Sequence, residues 1–328
     1  MKNFKTEKNM EYEGRICRPP MERASFMLPV MVGCSYNKCK FCNLFRDLKY
    51  RLLPLEQIEK ELLRVKNAGG NPNKIFLGDG SAFGIQTEHL LKILNLIHTY
   101  FPDCNCINMD ATVTSILQKT EKELKVLKQN GVHCLYIGIE SSLDDILTFM
   151  NKDHNTAQAE KAILKIYNYG YLFSAHIMTG IAGAARGIEN AEALSLFLNK
   201  MQPVCVINFS MFLHNEVPLF QEITSGNFLP ADELCNLKEE KRLLELLGKD
   251  KNRPIYYDGF HDFLEFRVRG NLPQDKTKML VSVQNKINEY ENKAPVYAFV
   301  HGECSEVMEK DDGNEKVWKK TQLNFSGI

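Results

Sequence analysis

The sequence lacks the features that would place this protein in a membrane, outside the cell or on nucleic acid. No apolar run approaches the ~20 residues that a membrane-spanning helix requires. The first residues, MKNFKTEKNMEYEG, are charged and contain no apolar core, so no signal peptide is predicted. Lys plus Arg equals Asp plus Glu at 41 each, which argues against a general electrostatic attraction for nucleic acid or anionic membranes. We therefore expect a cytoplasmic protein without membrane attachment.

A disulfide framework and a complete zinc knuckle are also missing. The chain has 10 cysteines, but their spacing is not that of a disulfide-linked secreted domain. No second C-x2-C and no H-x3-H follow the first cysteine cluster. Cys104 and Cys106 form a C-x-C pair, which alone is thin evidence for a second redox site. The sequence thus indicates reduced thiols in a reducing compartment.

What the sequence does have is a compact group of cysteines in residues 33–43, GCSYNKCKFCN. Cys34, Cys39 and Cys42 form a C-x4-C-x2-C pattern. A tetrahedral zinc site would need a fourth protein ligand. A [4Fe–4S] cluster held by three thiolates would leave one iron open for another ligand. The remaining alternative is three unrelated buried thiols.

The surroundings of this group favour the cluster. An apolar run, residues 26–32, leads into it, and Phe41 immediately precedes the last cysteine. The segment resembles the signature of the radical SAM superfamily, with four residues in the first gap where three are usual. The resemblance implies that Cys34, Cys39 and Cys42 bind a [4Fe–4S] cluster and that S-adenosyl-L-methionine (SAM) is the second cofactor. It also implies reductive cleavage of SAM to a 5′-deoxyadenosyl radical, an unidentified substrate, and an external electron donor such as flavodoxin or ferredoxin.

Strand-like and helix-like segments alternate along most of the chain. This alternation predicts an α/β fold with a parallel sheet and right-handed crossovers, arranged as a partial (β/α)6 TIM-like barrel. We expect a lead-in at 1–24, a radical SAM core at 25–226, an α-rich extension closing the barrel at 227–302, and a charged tail at 303–328. The predicted strands are 26–32, 74–77, 106–109, 134–139, 173–178 and 204–212, with a late one at 296–300. The predicted helices are 54–66, 87–100, 119–129, 156–169, 188–200, 234–247 and 276–290.

Three strand ends carry candidate SAM contacts, because chemistry in such barrels gathers at the carboxyl ends of the strands. Asp79, in a G-D-G segment, is similar to the "GGE" segment that contacts the SAM ammonium, although an Asp-Gly turn also explains it. Glu140, in G-I-E-S, resembles the "G-x-E-S" segment near the ribose, but Ser142 could equally cap a helix. Gly180 and Gly183 resemble the backbone platform beside adenine, and a tight strand-to-helix turn is the alternative.

The substrate is not specified by the sequence. Candidate contacts are His176, Asn208, His214 and His261, each of which could instead be structural. Residues 211–220 look like the "P-G-T-P-L" stretch of the Elp3/MiaB/NifB-like branch. An iron–sulfur electron carrier and a zinc-binding module, both without SAM chemistry, are the competing classes.

Overall fold

The computed structural model describes residues 17–301, 304–310 and 316–321, so most of the predicted lead-in and much of the predicted tail lie outside the described residues. The described chain divides into two compact units. The first contains residues 17–37, 44–136 and 166–171. The second contains residues 38–43, 137–165 and the described residues from 172 onward. Both units are therefore built from separate stretches of the chain.

The first unit is a parallel sheet with helices. Its strands are β1 (Phe26–Pro29), β2 (Met31–Val32), β3 (Arg51–Leu52), β4 (Lys74–Gly78), β5 (Cys106–Ala111) and the start of β6 (Val132–Glu140). Its helices are α1 (Leu55–Asn67), α2 (Thr87–Tyr100), α3 (Val113–Gln118) and α4 (Glu121–Gln129). The strand order is β1-β4-β5-β6, and β1, β4 and β5 are parallel. Alternate residues of β4 and β5, such as Ile75, Leu77, Ile107 and Met109, are fully buried and form the core.

Local details of this unit differ from the sequence predictions. The predicted strand at 26–32 is interrupted at Val30, whose N–H donates to Gly78 O, and β2 then pairs with β3 instead. The helix predicted at 87–100 is α2, and Gln86 occupies its N-cap without a side-chain bond. The predicted helix at 119–129 begins two residues later, at Glu121, and its N-cap Thr120 forms a reciprocal capping box with Glu123.

The second unit continues the alternation and adds strands that the sequence did not indicate. Its strands are the end of β6, β7 (Leu172–Thr179), β8 (Cys205–Ser210), β9 (Leu213–His214), β10 (Ile255–His261), β11 (Phe266–Leu272), β12 (Val296–His301), β13 (Cys304–Lys310) and β14 (Lys316–Thr321). Its helices are α5 (Asp144–Phe149), α6 (Thr156–Tyr167, of which the last two residues belong to the first unit), α7 (Gly187–Met201), α8 (Pro218–Thr224), α9 (Glu233–Leu246) and α10 (Lys276–Tyr290). The strand order is β6-β7-β8-β10-β11, with β7, β8 and β10 parallel and β11 antiparallel. A separate sheet has the order β14-β13-β12-β9.

Strands β10 and β11 lie in the region predicted to be α-rich, which also contains α9 and α10 as expected. An Asp-Gly pair, Asp258 and Gly259, makes the β10 sequence look like a turn. In the fold Asp258 is fully buried, and the Arg267 guanidinium of β11 donates to it from Nε at 2.7 Å and from Nη2 at 2.5 Å. This cross-strand pair satisfies the carboxylate, so the segment can extend through the sheet.

The fold is of the α/β class with a mostly parallel sheet, as predicted. Helices of the described chain are too short or too polar for any of them to traverse a lipid bilayer.

Candidate functional site

In the first unit, Cys34 and Asp79 are positioned by one close backbone approach. Gly33 has φ +83°, and a Cβ atom on Gly80 would lie 2.3 Å from the Gly33 carbonyl oxygen. Asp79 N–H also donates to Met31 O at 3.3 Å. Only glycine permits the turn after Asp79 to pass so near the start of the cysteine loop. The G-D-G segment is therefore built for this approach and not only for a local turn.

The Asp79 side chain is buried, with 4% of its surface exposed. Its Oδ1 accepts a hydrogen bond from the backbone N–H of Cys17 at 3.0 Å. Burial raises the pKa of Asp79 to about 6, although the Cys17 bond acts in the opposite direction. A cationic ligand would stabilise the ionised form of this buried carboxylate. The predicted contact with the SAM ammonium would provide such a cation.

Asp110, near the end of β5, is a functional candidate that the sequence analysis missed. It shares a strand face with Asn108, whose amide donates to buried Glu22 at 2.8 Å. Burial, followed by the negative charges of Asp79 and Glu22, raises the pKa of Asp110 to about 8. A carboxyl group that stays protonated near neutral pH is typical of ligand-binding and acid–base sites. The only sequence signal was its place at the carboxyl end of a strand.

Cys104 and Cys106, the suggested second redox pair, lie in the same unit. Burial raises the pKa of Cys104 to about 11, and burial also raises the pKa of Cys106. Reactive thiols need a lowered pKa, so these environments do not favour a redox role.

In the second unit, residues 38–43 are held by the backbone of later segments. Lys40 N–H donates to Met150 O at 2.9 Å, and Leu219 N–H donates to Lys40 O at 3.0 Å. The amide nitrogen of Asn43 lies 2.9 Å from Nδ1 of His214. These bonds fix the path of the chain on which Cys39 and Cys42 lie. His214 therefore supports the cysteine loop.

Phe41 shows why an aromatic residue suits this loop. Its ring is 9% exposed and belongs to an apolar cluster that includes Ile181 and Ala182, the two residues between Gly180 and Gly183. Cys39 and Cys42 pack against the same cluster. The second unit thus places the end of the cysteine motif and the predicted adenine platform on one core.

Glu140 ends β6 in an unusual conformation and forms an ion pair that the sequence did not indicate. Its φ is +62°, a left-handed region that costs a residue with a side chain about 1–3 kcal/mol. Its Oε1 lies 3.3 Å from Nζ of Lys152, and the two side chains are 12% and 8% exposed. Burial disfavours the Lys152 charge, but Glu140, then Cys39 and Asp153, raise its pKa above the ordinary value. A fixed cation therefore lies beside Glu140 and Cys39.

The alternative of a helix cap at Ser142 is not found in the structure. Leu143 occupies the N-cap of α5 without a side-chain bond, and it is Ser141 whose Oγ accepts from Leu143 N–H at 3.1 Å. Ser141 Oγ also donates to Asn190 Oδ1 at 2.6 Å. The G-I-E-S segment is consequently tied to α7 and is not a simple helix start.

The turn after β7 requires both of its glycines. Gly180 and Gly183 have φ values of +84° and +75°, and Gly183 N–H donates to Gly180 O at 3.0 Å. A Cβ on Gly183 would lie 2.8 Å from Leu229 O. The backbone of this turn is therefore packed closely from one side.

Two of the candidate substrate contacts are engaged within the protein. Both ring nitrogens of His261 are bound, to Glu233 Oε2 at 2.8 Å and to Glu240 Oε2 at 3.1 Å. Asn208 accepts from Thr179 N–H at 3.1 Å and donates to Glu240 at 3.1 Å. His261 and Asn208 are fully buried, so they act as structural groups.

His176 is half-buried on β7, with its ring centroid 6.1 Å from that of Phe209. Burial, together with the nearby Lys152 ammonium, lowers the pKa of His176 to about 4. It is therefore a neutral imidazole at physiological pH, and its contact with a substrate stays a prediction.

The cysteine motif itself is divided between the units, with Cys34 in the first and Cys39 and Cys42 in the second. Within residues 17–301, 304–310 and 316–321, no three His, Cys, Asp or Glu side chains are arranged as a metal-binding group. The ligand assignment of the three cysteines therefore stays a prediction.

Comparisons with known proteins show a likeness to one superfamily. Residues 28–186 match the sequence model of the Radical SAM superfamily. The heme chaperone HemW of Bacillus subtilis (strain 168) is 22% identical over 152 residues, which cover 44% of this chain and 40% of that protein. The matched region is thus less than two thirds of this relative's length.

Solved structures show the same likeness at low sequence identity. Methylornithine synthase (PylB) is 12% identical with a TM-score of 0.51, covering 92% of this chain and 76% of that one. Elp3 of the archaeon Methanocaldococcus infernus, with an N-terminal deletion, is 16% identical with a TM-score of 0.49, covering 69% and 55%. At 12% identity, the likeness to methylornithine synthase is one of fold.

Proposed function

We propose that the chain is a radical SAM enzyme whose Cys34, Cys39 and Cys42 hold a [4Fe–4S] cluster, because residues 28–186 match the Radical SAM superfamily model. When bound and reduced, the cluster supplies the electron that cleaves SAM to methionine and a 5′-deoxyadenosyl radical, which abstracts hydrogen from a substrate. The observation that carries this proposal is the C-x4-C-x2-C loop inside the family-matched residues 28–186.

The donor chemistry fits such a cluster. Three thiols lie within nine residues, and none of the cysteines from Cys17 to Cys235 forms a disulfide. Thiolates are the ligands of iron–sulfur clusters, and three of them leave one iron open for SAM.

The chain's own polar groups supply complementary contacts for SAM. Asp79 is suited to accept hydrogen bonds from the ammonium, and Glu140 from the ribose hydroxyls. The backbone of the 180–183 turn is suited to lie beside adenine. Lys152, paired with Glu140, adds a cation suited to the SAM carboxylate.

The same proposal covers the rest of the chain. Residues 25–226 form the catalytic core and residues 227–302 close it, while the predicted tail at 303–328 contributes β13 and β14 to the sheet with β12 and β9. An external donor such as flavodoxin or ferredoxin supplies single electrons, and the thiol state of the cysteines suits the reducing cytoplasm.

Anaerobic reconstitution with iron and sulfide tests the cluster assignment. We expect about four irons per chain and a visible charge-transfer absorption. Replacing Cys34, Cys39 or Cys42 by Ala should reduce bound iron to below about half, because two thiolates cannot hold a cube. Cys235→Ala, on α9, is the matched control and should retain full iron. Full iron in any of the three motif variants would overturn the assignment.

A second function is favoured by one finding, the likeness to a protein named as a heme chaperone. In that case the protein would bind heme and would release no 5′-deoxyadenosine. Incubating the reduced, iron-loaded protein with SAM and dithionite separates the two functions. 5′-Deoxyadenosine in wild type, and not in Cys39→Ala, supports the enzyme.

A further inference from the structure

Helix α9 reaches the 180–183 turn through one buried carboxylate. Glu239 is 2% exposed, and its Oε2 accepts from Gly180 N–H at 2.9 Å. Its Oε1 accepts from Asn190 Nδ2 at 2.7 Å. Since the carboxylate satisfies a backbone donor at the exact residue where the turn begins, it controls where that turn lies.

Neighbouring groups of the same region fill the space around the turn. A Cβ on Gly180 would lie 2.6 Å from Asn236 Oδ1, and one on Gly187 would lie 2.8 Å from Glu239 Oε2. Leu229 O accepts from Ala184 N–H at 3.0 Å. The turn is therefore held by hydrogen bonds at both ends and has no room to shift toward α9.

Glu239 is itself held in place by a hydrogen bond from Asn190. Asn190, its partner on α7, accepts from Ser141 Oγ at 2.6 Å, and Ser141 directly follows Glu140. One chain of hydrogen bonds thus runs from the end of β6 through Asn190 and Glu239 to Gly180. The two segments proposed to contact the ribose and the adenine of SAM share this single support.

We propose that Glu239 is a positioning residue that fixes the 180–183 turn in the orientation required to receive the adenosine end of SAM. This inference rests on the proposed function and deepens it. Residues 227–302 then do more than cover the core, because α9 sets the position of a turn that is proposed to contact the cofactor.

The test uses Glu239→Gln in the full chain. Glutamine keeps one acceptor oxygen but places an NH2 group against either Gly180 N–H or Asn190 Nδ2, so one hydrogen bond is lost. In the metal-free protein, hydrogen exchange at the Gly180 amide should accelerate about tenfold, as the loss of one charge-assisted bond implies. In the iron-loaded protein, the Kd and KM for SAM should rise by about the same factor, while kcat changes less than about twofold.

Two further variants complete the experiment. Glu245→Gln, on the exposed side of α9 where Glu245 pairs with Lys241 at 3.0 Å, should change none of these values. Asn190→Ala removes the hydrogen bond from Asn190 to Glu239 but keeps the bond from Gly180 to Glu239. Exchange at the Gly180 amide and the Kd for SAM should therefore both rise, but by less than in Glu239→Gln. This variant serves as the test if Glu239→Gln does not fold.

The outcomes separate the two proposals. Unchanged exchange at Gly180, or faster exchange with an unchanged Kd for SAM, overturns the positioning role and leaves the proposed function intact. If the wild-type protein loads iron but binds no SAM, the proposed function fails and this inference fails with it.

Discussion

At the scale of single residues, Lys152 shows how far the fold can change the meaning of a local sequence. In N-K-D-H it reads as an exposed loop lysine, yet its side chain is only 8% exposed and pairs with Glu140. Its ammonium also lies 6.0 Å from the centroid of the Phe41 ring. A Cβ on Gly138 would lie 3.2 Å from Lys152 Nζ, so the glycine of G-I-E-S leaves room for the pair. Such burial depends on tertiary contacts that no local pattern encodes.

Removing the cation of this pair should be costly. Lys152→Met leaves the Glu140 carboxylate buried and unpaired, so we expect the free energy of unfolding of the metal-free protein to fall by about 3–5 kcal/mol. Lys200→Met is the matched control, because Lys200 is 59% exposed in its pair with Glu160 and should cost less than about 1 kcal/mol. Urea unfolding measures both, and equal losses would contradict a buried ion pair at Lys152.

Asp110 should make stability depend on pH. Its pKa is raised to about 8 in the folded protein, above the ordinary value near 4, so between these values the folded state binds more protons than the unfolded state. The contribution of Asp110 to the free energy of unfolding therefore decreases as pH rises from about 4 to 8, by at most about 1.4 kcal/mol per pH unit. Asparagine cannot ionise, so Asp110→Asn should gain stability relative to wild type across this range.

Urea titrations from pH 5 to 8 measure this difference. Asp79→Asn removes the negative charge that, after burial, contributes most to the raised pKa of Asp110, so this variant should show the transition at lower pH than wild type. Parallel stability curves for Asp110→Asn and wild type would show that Asp110 is ionised throughout.

At the scale of elements, the sequence predicted the repeating strands and helices well because their apolar residues are periodic. It failed where long-range partners decide the structure. Strand β10 requires Arg267 to neutralise Asp258, and this partner lies on the next strand. The short helix α3 lies between two Thr caps, Thr112 and Thr120, whose signals merge in the sequence. The candidate cofactor turn at 180–183 was found because its glycines follow a predicted strand.

The 180–183 turn should tolerate a side chain less well than an ordinary left-handed glycine. Gly180→Ala and Gly226→Ala both place a Cβ at positive φ, +84° and +74°, which costs about 1–2 kcal/mol. At Gly226 nothing lies within 4 Å of the new Cβ, whereas at Gly180 it meets Asn236 Oδ1 at 2.6 Å. We expect Gly180→Ala to lose a further 1–3 kcal/mol or so of unfolding free energy, because the space is already filled. Equal losses in urea unfolding would mean that Asn236 moves aside.

At the scale of the whole molecule, the fold class and the likeness to the radical SAM superfamily were accessible from sequence, because the cysteine motif and the alternation of strands and helices carry them. The family match at 28–186 includes parts of both units. Beyond residue 186, the sequence predicted the helices and strands less completely. What sequence could not supply is the electrostatics: Asp110, Lys152 and Glu239 acquire their properties from burial against distant groups. Those three residues carry the most specific tests of the site.

The anchoring of residues 38–43 has a consequence for biosynthesis. Lys40 is made early, but the groups that hold its backbone, Met150 O and Leu219 N–H, are made late. At about 5–20 residues per second, a ribosome needs roughly 9–36 s to synthesise the 180 or so residues between Lys40 and Leu219. During that period Cys39 and Cys42 lie on a nascent chain that lacks these backbone hydrogen bonds, so their thiols are exposed to oxidants and to other metal ions. Iron delivery to this protein is therefore expected to follow translation of the core.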